Sequence, residues 1–558
     1  MSMMPLGFSA QRVKSTQPVI LGNFTSEYVF DMMSESDEYI SIKNSYMSVN
    51  MQIWQVSEVG AQVDLRLQPI VNSTSTATHR ELGNQLSIPY INPNPIANLW
   101  QTVTADIAGQ TICNIQNVAP VNTLYRMLFE SKQEQATING TNKLSVMGLK
   151  DIDCTKKNST NILLDYFDDN INVVNYTADT AICSNSAPYN TAAYLSNRQL
   201  WALENLYGFN RYNEVEVNGQ LPVPLGYCDE LIPPNTPISL RFQTNTNFAT
   251  DIVNIAGSAA AGLGTQAGTT AGAWQIQPLP SGGSVTLPSA TGGGNENVIY
   301  VGVKDITIWL ARVRLPSPVS SAKLLGLKQF SSLLHAISQS NHDEFIVETK
   351  RNRRVSHICI AFTQPKNASL KTTQSVFDAG FSVNAGNTTG KVDGTNESII
   401  GANTSASVDE APVYINSPIT NLSYLRVEFG GSTMPQTPYN FNFNWTTGGK
   451  GATKINLSYD VLRAYNDYLN ATDAFRDRAG CLLSFDQWIV SPIFVFKTHQ
   501  VPNADTSTAL VSVDFNGGSL ASGFNNSGRY NCLVMCLYDE AVQLTYDQFA
   551  HLTSVVVA

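Results

Sequence analysis

Charge is what this chain has least of. Of its 558 residues only 14% are Asp, Glu, Lys or Arg, against about 25% in ordinary soluble proteins. The polar surface must instead be built from Asn, Ser, Thr and Gln. A surface poor in like charges tolerates dense packing of identical copies, because Coulomb repulsion between them is small. A gene rich in asparagine codons accounts for the same bias. A net charge of -10 argues against broad nucleic-acid binding.

Other absences exclude whole classes of function. No run of 18 or more apolar residues exists to span a membrane as a helix, and the tract at 257–274 is too small and polar to count. The first residues, MSMMPLGFSAQRVKSTQP, lack the apolar segment of a secretion signal. Cysteines at 113, 154, 183, 228, 359, 481, 532 and 536 are scattered, which favours reduced, buried thiols over disulfides. The N-x-S/T sequons at Asn23, Asn72 and Asn444 then follow from composition rather than glycosylation.

Catalytic signatures are missing too. There is no GxxxxGK[ST] loop, and GGGNEN at 292–297 lacks the lysine; there is no HExxH and no GxSxG. The six histidines (79, 335, 342, 357, 499 and 551) have no metal-ligand spacing. Cys532 and Cys536 share a strand face but would lie about 13 Å apart, too far for one zinc ion. The acidic runs at 35–38 and 165–170 lack EF-hand spacing and read as solvated loops. The one dense basic run, KRNRR at 350–354, reads as a charged strand edge that discourages aggregation. No catalytic, cofactor-binding or metal residue is assigned, no cofactor is expected, and the chain is read as not an enzyme.

What is present is alternation. In YMSVNMQIW the residues Met47, Val49, Met51 and Ile53 alternate with polar ones, the period of a half-buried strand. Similar segments follow at 63–70, 237–245, 297–315, 355–364, 491–499, 508–515 and 530–538. Helices are expected at 196–208, where Ser196 and Gln199 form a capping box, at 458–475, and at 321–338. The last, following Pro316 and Pro318, reads as a linker helix carrying His335 in a packing or capping role.

The pattern also repeats. Val103, Ala105, Ile107 and Gly109 fall on Leu425, Val427, Phe429 and Gly431 at an offset of 322. PISLRF at 237 is like PIFVF at 492, and the closing strands near 306 are like those near 536. Three correspondences in one order point to duplicated strand frameworks with unequal loops. The boundaries expected are an N-terminal arm at 1–27, a first β-domain at 28–316 with an insertion loop at 254–297, a linker helix at 317–345, and a second β-domain at 346–558 with an insertion loop at 366–412. Removing 257–290 should then leave the fold intact.

PNPIANLWQTVTADIAGQTICNIQNVAPVNTLYRMLFES (93–131) resembles a stretch near the start of double-jelly-roll major capsid proteins of virophages, polinton-like viruses and adintoviruses, of the adenovirus hexon-like lineage. The matching residues are Leu99 and Trp100, then Val103 to Gly109, then Leu124 to Phe129. Residues 38–54 look like that family's first strands, ITNLSYLRVEFGGSTMP like the opening of its second barrel, and FDQWIVSPIFVFKTHQ (485–500) like its late W…P-[IL]-[FY]-V-F element. The resemblance covers roughly two thirds of the chain and rests on the order of loose motifs.

It implies an all-β fold with a few helices: two tandem eight-stranded jelly-roll (β-sandwich) domains with long loop insertions. It implies a homotrimer that is pseudo-hexagonal and tiles the icosahedral capsid of a double-stranded DNA virus. Its partners would be neighbouring capsomers, penton and minor capsid proteins, without sequence-specific nucleic-acid contact. Its place would be the virion, after assembly in the host cytoplasm or nucleus. Loop 254–297 would form an outward tower and residues 1–27 an inner-face arm, whose contact with an internal membrane is left open. The alternative is a carbohydrate-binding or carbohydrate-cleaving β-sandwich, with Trp100, Trp201, Trp274 and Trp309 as possible platforms if they are not packed in cores.

Overall fold

The computed structural model describes residues 7–20, 23–24, 27–33, 38–56, 88–91, 95–129, 214–228, 230–256, 275–280, 298–315, 322–337, 342–350, 353–363, 422–441, 444–447, 453–456, 459–472, 488, 492–498, 501, 508–515, 531–547 and 551–557. The first half holds β1 (Gly7–Lys14), β2 (Glu27–Met32), β3 (Glu38–Val56), β4 (Ile88–Ile91), β5 (Trp100–Ile107), β6 (Gln110–Gln116), β7 (Glu214–Gln220), β8 (Ile238–Thr244), β9 (Val253–Ala256), β10 (Gln275–Pro278) and β11 (Val298–Arg314). The second holds β12 (Ala322–Ala336), β13 (His342–Glu348), β14 (Val355–Thr363), β15 (Leu422–Phe429), β16 (Ser432–Asn440), β17 (Asn444–Thr447), β18 (Thr453–Asn456), β19 (Ile493–Lys497), β20 (Thr508–Phe515), β21 (Asn531–Tyr546) and β22 (Leu552–Val557). The helices among the described residues are α1 (Pro95–Asn98), α2 (Val118–Phe129), α3 (Phe248–Ile252) and α4 (Tyr459–Ala471).

Strand order repeats between the halves. One sheet of the first half runs β1-β11-β3-β7 and faces a second running β2-β8-β5-β6. The second half runs β12-β21-β14-β19 and β13-β20-β15-β16. Counting eight framework strands in each half, both give 1-8-3-6 and 2-7-4-5. Two four-stranded sheets so interleaved are a jelly roll, and the chain contains two. Strands β10 and β22 add to the sheet margins, while β17–β18 and β4–β9 form small ribbons.

Side chains follow the alternation. Met47, Val49, Met51 and Ile53 on β3 are all buried, and the first core closes around Trp100, Tyr28, Phe30 and Phe242. The second closes around Trp488, Phe362, Phe494 and Phe429. Helix α4 buries Val461, Ala464, Tyr468 and Ala471, and Asp460 in its first turn accepts from the Asn440 backbone N–H at 2.8 Å.

The repeat at offset 322 is structural. Strands β5 and β6 are joined by Ala108 and Gly109 at φ 51° and 79°; β15 and β16 are joined by Gly430 and Gly431 at φ 60° and 76°. Two residues at positive φ make the mirror-image turn that suits the twist of a hairpin. A side chain at Gly431 would meet no atom within 4 Å, so any penalty there is conformational. Gly431→Val is expected to lower unfolding free energy by about 1–3 kcal/mol, the range for a non-glycine residue held at positive φ. Denaturant titration checks this, and an unchanged midpoint would show the turn is not constrained.

Four expectations need correction. PISLRF and PIFVF are not counterparts: β8 is the seventh strand of its roll and β19 the sixth, while the counterpart of β8 is β20. Short apolar alternations carry no register, so similar residues paired unequal strands. The expected linker helix is strand β12, which pairs with β21 from Ala322↔Thr545 to Ala336↔Asn531. Its leucine-rich stretch has helical spacing, but fifteen residues of antiparallel pairing override propensity and leave Leu324 60% exposed. The N-terminal arm is not free along its length, since Gly7–Lys14 pairs with β11. Finally, the 254–297 insertion contains β10, which pairs parallel with β11 and buries Ile276, with Leu279 buried just beyond it. Deleting 257–290 would therefore cut into the first roll. The expected strand at 63–70, the helix at 196–208 and the loop at 366–412 lie outside the described residues.

Candidate functional site

No group of three or more His, Cys, Asp or Glu among the described residues is placed to hold a metal ion. No described helix is long and apolar enough to cross a membrane. Cys113, Cys359, Cys532 and Cys536 are free and buried, and the buried Cys228 Sγ lies 2.9 Å from Glu230 Oε2. Trp100 lies in the first core, 4.9 Å from Phe242 between ring centroids, so it is no sugar platform. Trp309 stacks on Tyr46 at 6.3 Å, and Trp201 and Trp274 lie outside the described residues. Of the run at 35–38, Glu38 pairs with Arg312 at 2.8 Å; the rest of it, and the run at 165–170, lie outside the described residues. His335 sits on β12 rather than a helix and packs: it stacks on Phe345 at 4.1 Å, with Asp343 3.1 Å away.

Among the described residues, a set of polar and aromatic contacts joins the two rolls. Strand β12, at the edge of its sheet, runs beside β6 of the first roll. The buried Gln329 amide donates to the Ile112 carbonyl, and Ser332 Oγ donates to the Gln116 carbonyl at 3.1 Å. Lys350 Nζ donates in turn to Gln329 Oε1, and the Lys350 backbone N–H donates to Tyr538 OH at 2.9 Å. Thr236 of the first roll and Tyr546 of the second share a buried hydrogen bond of 2.7 Å.

An aromatic group closes the same seam. Helix α2 brings Tyr125 to 5.2 Å from Phe330 on β12, and Phe129 to 5.4 Å from His357 on β14. Tyr227 lies 4.1 Å from Tyr125 and 6.0 Å from Phe330, so three rings from both rolls meet at one point. Such contacts supply adhesion through area, with about 0.5–1.5 kcal/mol per ring pair beyond it.

Beside this group lies a cluster of charge. Arg353 Nη1 stands 3.5 Å from the buried Glu540 carboxylate, whose oxygens make no hydrogen bond to the described residues. Burial raises the Glu540 carboxyl above its ordinary value, against the pull of Lys350 and Arg353. Burial lowers Lys350, and Glu540 opposes the change. Burial also pushes the Cys113 thiol and the Tyr538 phenol up to about 12. Buried ionic groups add little net stability. The hydrogen bonds of Gln329 and Lys350 are satisfied in this arrangement of the two rolls.

The basic run at 350–354 thus differs from the charged edge expected of it. Arg354 is exposed, but Lys350 lies against the Tyr538 ring, 5.4 Å from its centroid, and Arg353 faces Glu540. Sequence carried one missed signal. On β21, Tyr538, Val542, Leu544 and Tyr546 are buried in alternation, and Glu540 falls in the same phase. A carboxylate in phase with core residues requires a buried cation nearby.

The strand order defines the class: a double-jelly-roll protein, two eight-stranded rolls in one chain. Among solved structures the chain is similar to PBCV-1 VP54 fitted into a reconstruction of the virophage Sputnik, at 9% identity and TM-score 0.45, covering 100% of this chain and 98% of that one. It is also similar to the mavirus major capsid protein (8%, 0.44, 98% and 90%) and to the Sputnik virophage structure (10%, 0.44, 99% and 88%). No family model matches the chain. No curated protein matches it either.

Proposed function

We propose that the chain is the major capsid protein of an icosahedral double-stranded DNA virus, acting structurally and without catalysis. The observation that carries this reading is the exact repetition of strand order, 1-8-3-6 and 2-7-4-5, in two rolls joined by an oriented seam. Three such chains about a three-fold axis present six rolls of one topology, so one gene product fills a hexagonal lattice. The low charge of the sequence, 14%, suits contacts among many identical surfaces. Neighbouring capsomers, penton and minor capsid proteins are the partners this role requires, and the virion is its location.

The reading needs a heterologous contact that closes at three copies and a weaker one between trimers. Light scattering of the purified chain at micromolar concentration is expected to give the mass of a trimer, and negative-stain images a pseudo-hexagonal outline. A species that stays monomeric throughout that range would overturn the proposal.

A further inference from the structure

The edges of the four framework sheets are guarded. Exposed charge stands on β1 (Arg12 and Lys14), on β7 (Glu216), on β2 (Asp31) and on β13 (Glu344). Edge β16 carries Pro435 and Pro438, and Arg463 of α4 donates to the carbonyls of Thr437 and Pro438 at 2.8 and 3.0 Å. Edge β19 is largely buried, and its Ile493 carbonyl accepts from the Trp488 indole N–H at 2.9 Å. Edges β6 and β12 run beside each other at the junction of the rolls. Charge, proline and cover are the devices that stop an edge strand from pairing with another chain.

Strand β22, added to the margin of the β12-β21-β14-β19 sheet, has none of them. It reads LTSVVV, without charge or proline. It pairs antiparallel with β21 on one side, from Val542↔Val557 to Thr545↔Ser554, in line with β14, whose pairing with β21 stops at Tyr538. Val555 and Val557 are in phase with the buried Leu544 and Val542, yet they are only half-buried, because among the described residues no further strand lies beyond them. On the opposite face Val556, 52% exposed, shares a row with Gln543 and with Leu324, 60% exposed. The strand is nonetheless held in place. Thr553 Oγ1 donates to the Thr545 carbonyl at 2.9 Å, and the turn before it is closed by the Asp547 N–H on the His551 carbonyl at 2.9 Å and the His551 N–H on Asp547 Oδ1 at 2.8 Å. An edge already fixed loses little freedom when another strand is laid on it.

We propose that the open edge of β22 receives an extended, uncharged segment of a different protein, which adds the next strand of this sheet. Backbone hydrogen bonds along such an edge supply affinity, and alternate side chains supply selectivity. The segment's inward side chains are β-branched or apolar and complete the cover of Val555 and Val557; a charged side chain there is buried without a partner. The competing occupant is β22 of a second copy. Two identical edges pair antiparallel about a two-fold axis, which sets the copies end over end. The capsid reading needs every chain to turn the same end of its rolls outward, so the choice of a different protein rests on that reading, whereas the strand addition does not.

The purified full-length chain tests this with a fluorescein-labelled peptide of alternating valine and threonine, as long as β22. Wild-type protein should bind it saturably by fluorescence anisotropy. The same peptide N-methylated at every amide keeps its side chains but loses its donors, and should bind at least ~10-fold more weakly. Val555→Lys should also weaken binding by ~10-fold or more with circular dichroism and melting temperature near wild type, because a lysine at an open edge reaches water and one beneath an added strand does not. Val555→Leu should bind as the wild type does. No binding of the plain peptide, or equal binding of the N-methylated one, would overturn the strand addition and leave the trimer untouched. A wild-type mass in light scattering that halves in Val555→Lys would show β22 pairing with its own copy and overturn the choice of a different protein. A monomeric wild type that binds the peptide would overturn the trimeric reading and leave the strand addition standing.

Discussion

Val103→Asp is expected to leave the chain without a folded first roll. Val103 sits on β5, an interior strand, paired with Ile115 on one side and Phe242 on the other, and its side chain is fully buried. It faces the core closed by Trp100 and Phe242. An aspartate there would have to be ionised without a cation or held neutral without a hydrogen-bond partner. Either course costs several kcal/mol, about 3–5 by comparison with broken buried pairs. Domain stabilities are about 5–15 kcal/mol, so one such change removes much of the margin. The expected result is insoluble expression or a melt without a cooperative transition. Leu425→Asp should do the same to the second roll, since Leu425 holds the equivalent place on β15 and is equally buried. A Val103→Asp chain that melts at the wild-type temperature would show that the buried face of β5 has been assigned to the wrong side.

That comparison marks how much of the fold could be read from residues alone. The β5–β6 and β15–β16 hairpins were legible because two signals coincide in each: alternation, which sets the face, and glycine at a positive φ, which sets the turn. The long strands β3, β11, β14 and β21 were legible from alternation or unbroken apolar runs. Strand β12 was not, because Leu324, Leu325, Leu327 and Phe330 satisfy a helical spacing as well as a strand with one exposed leucine. Only pairing with β21, two hundred residues on, decides between them. The swapped counterparts β8 and β19 failed for a related reason, since topology and not composition says which strand is sixth and which seventh. The seam was least visible. Gln329 and Lys350 have no local pattern, and Gln329 takes its role from the approach of Ile112 across the domain boundary.

Phe330→Ala is expected to loosen the chain at that boundary. Phe330 is 3% exposed and fills the point where Tyr125 and Tyr227 of the first roll meet the second. Truncating a buried phenylalanine costs about 3–5 kcal/mol through lost burial and the cavity left behind. For rolls of this size that is roughly 6–20 °C in melting temperature, at about 2–4 °C per kcal/mol. Its distribution matters more than its size. Each roll keeps its own core, and what the variant loses is the term that makes the two unfold together. Calorimetry should therefore resolve the wild-type transition into two, whereas Phe362→Ala, inside the second core, should lower stability without separating the rolls. The polar contacts of Gln329 and the Thr236–Tyr546 hydrogen bond remain in the variant, so the rolls stay side by side but hold their angle less tightly. A lattice amplifies that looseness, because an angular error within each chain is repeated at every capsomer. Trimers of the variant are expected to form, and extended hexagonal arrays are expected to fail. One sharp transition at the wild-type temperature, with normal arrays, would mean that the three rings are incidental neighbours and that the polar contacts alone hold the seam.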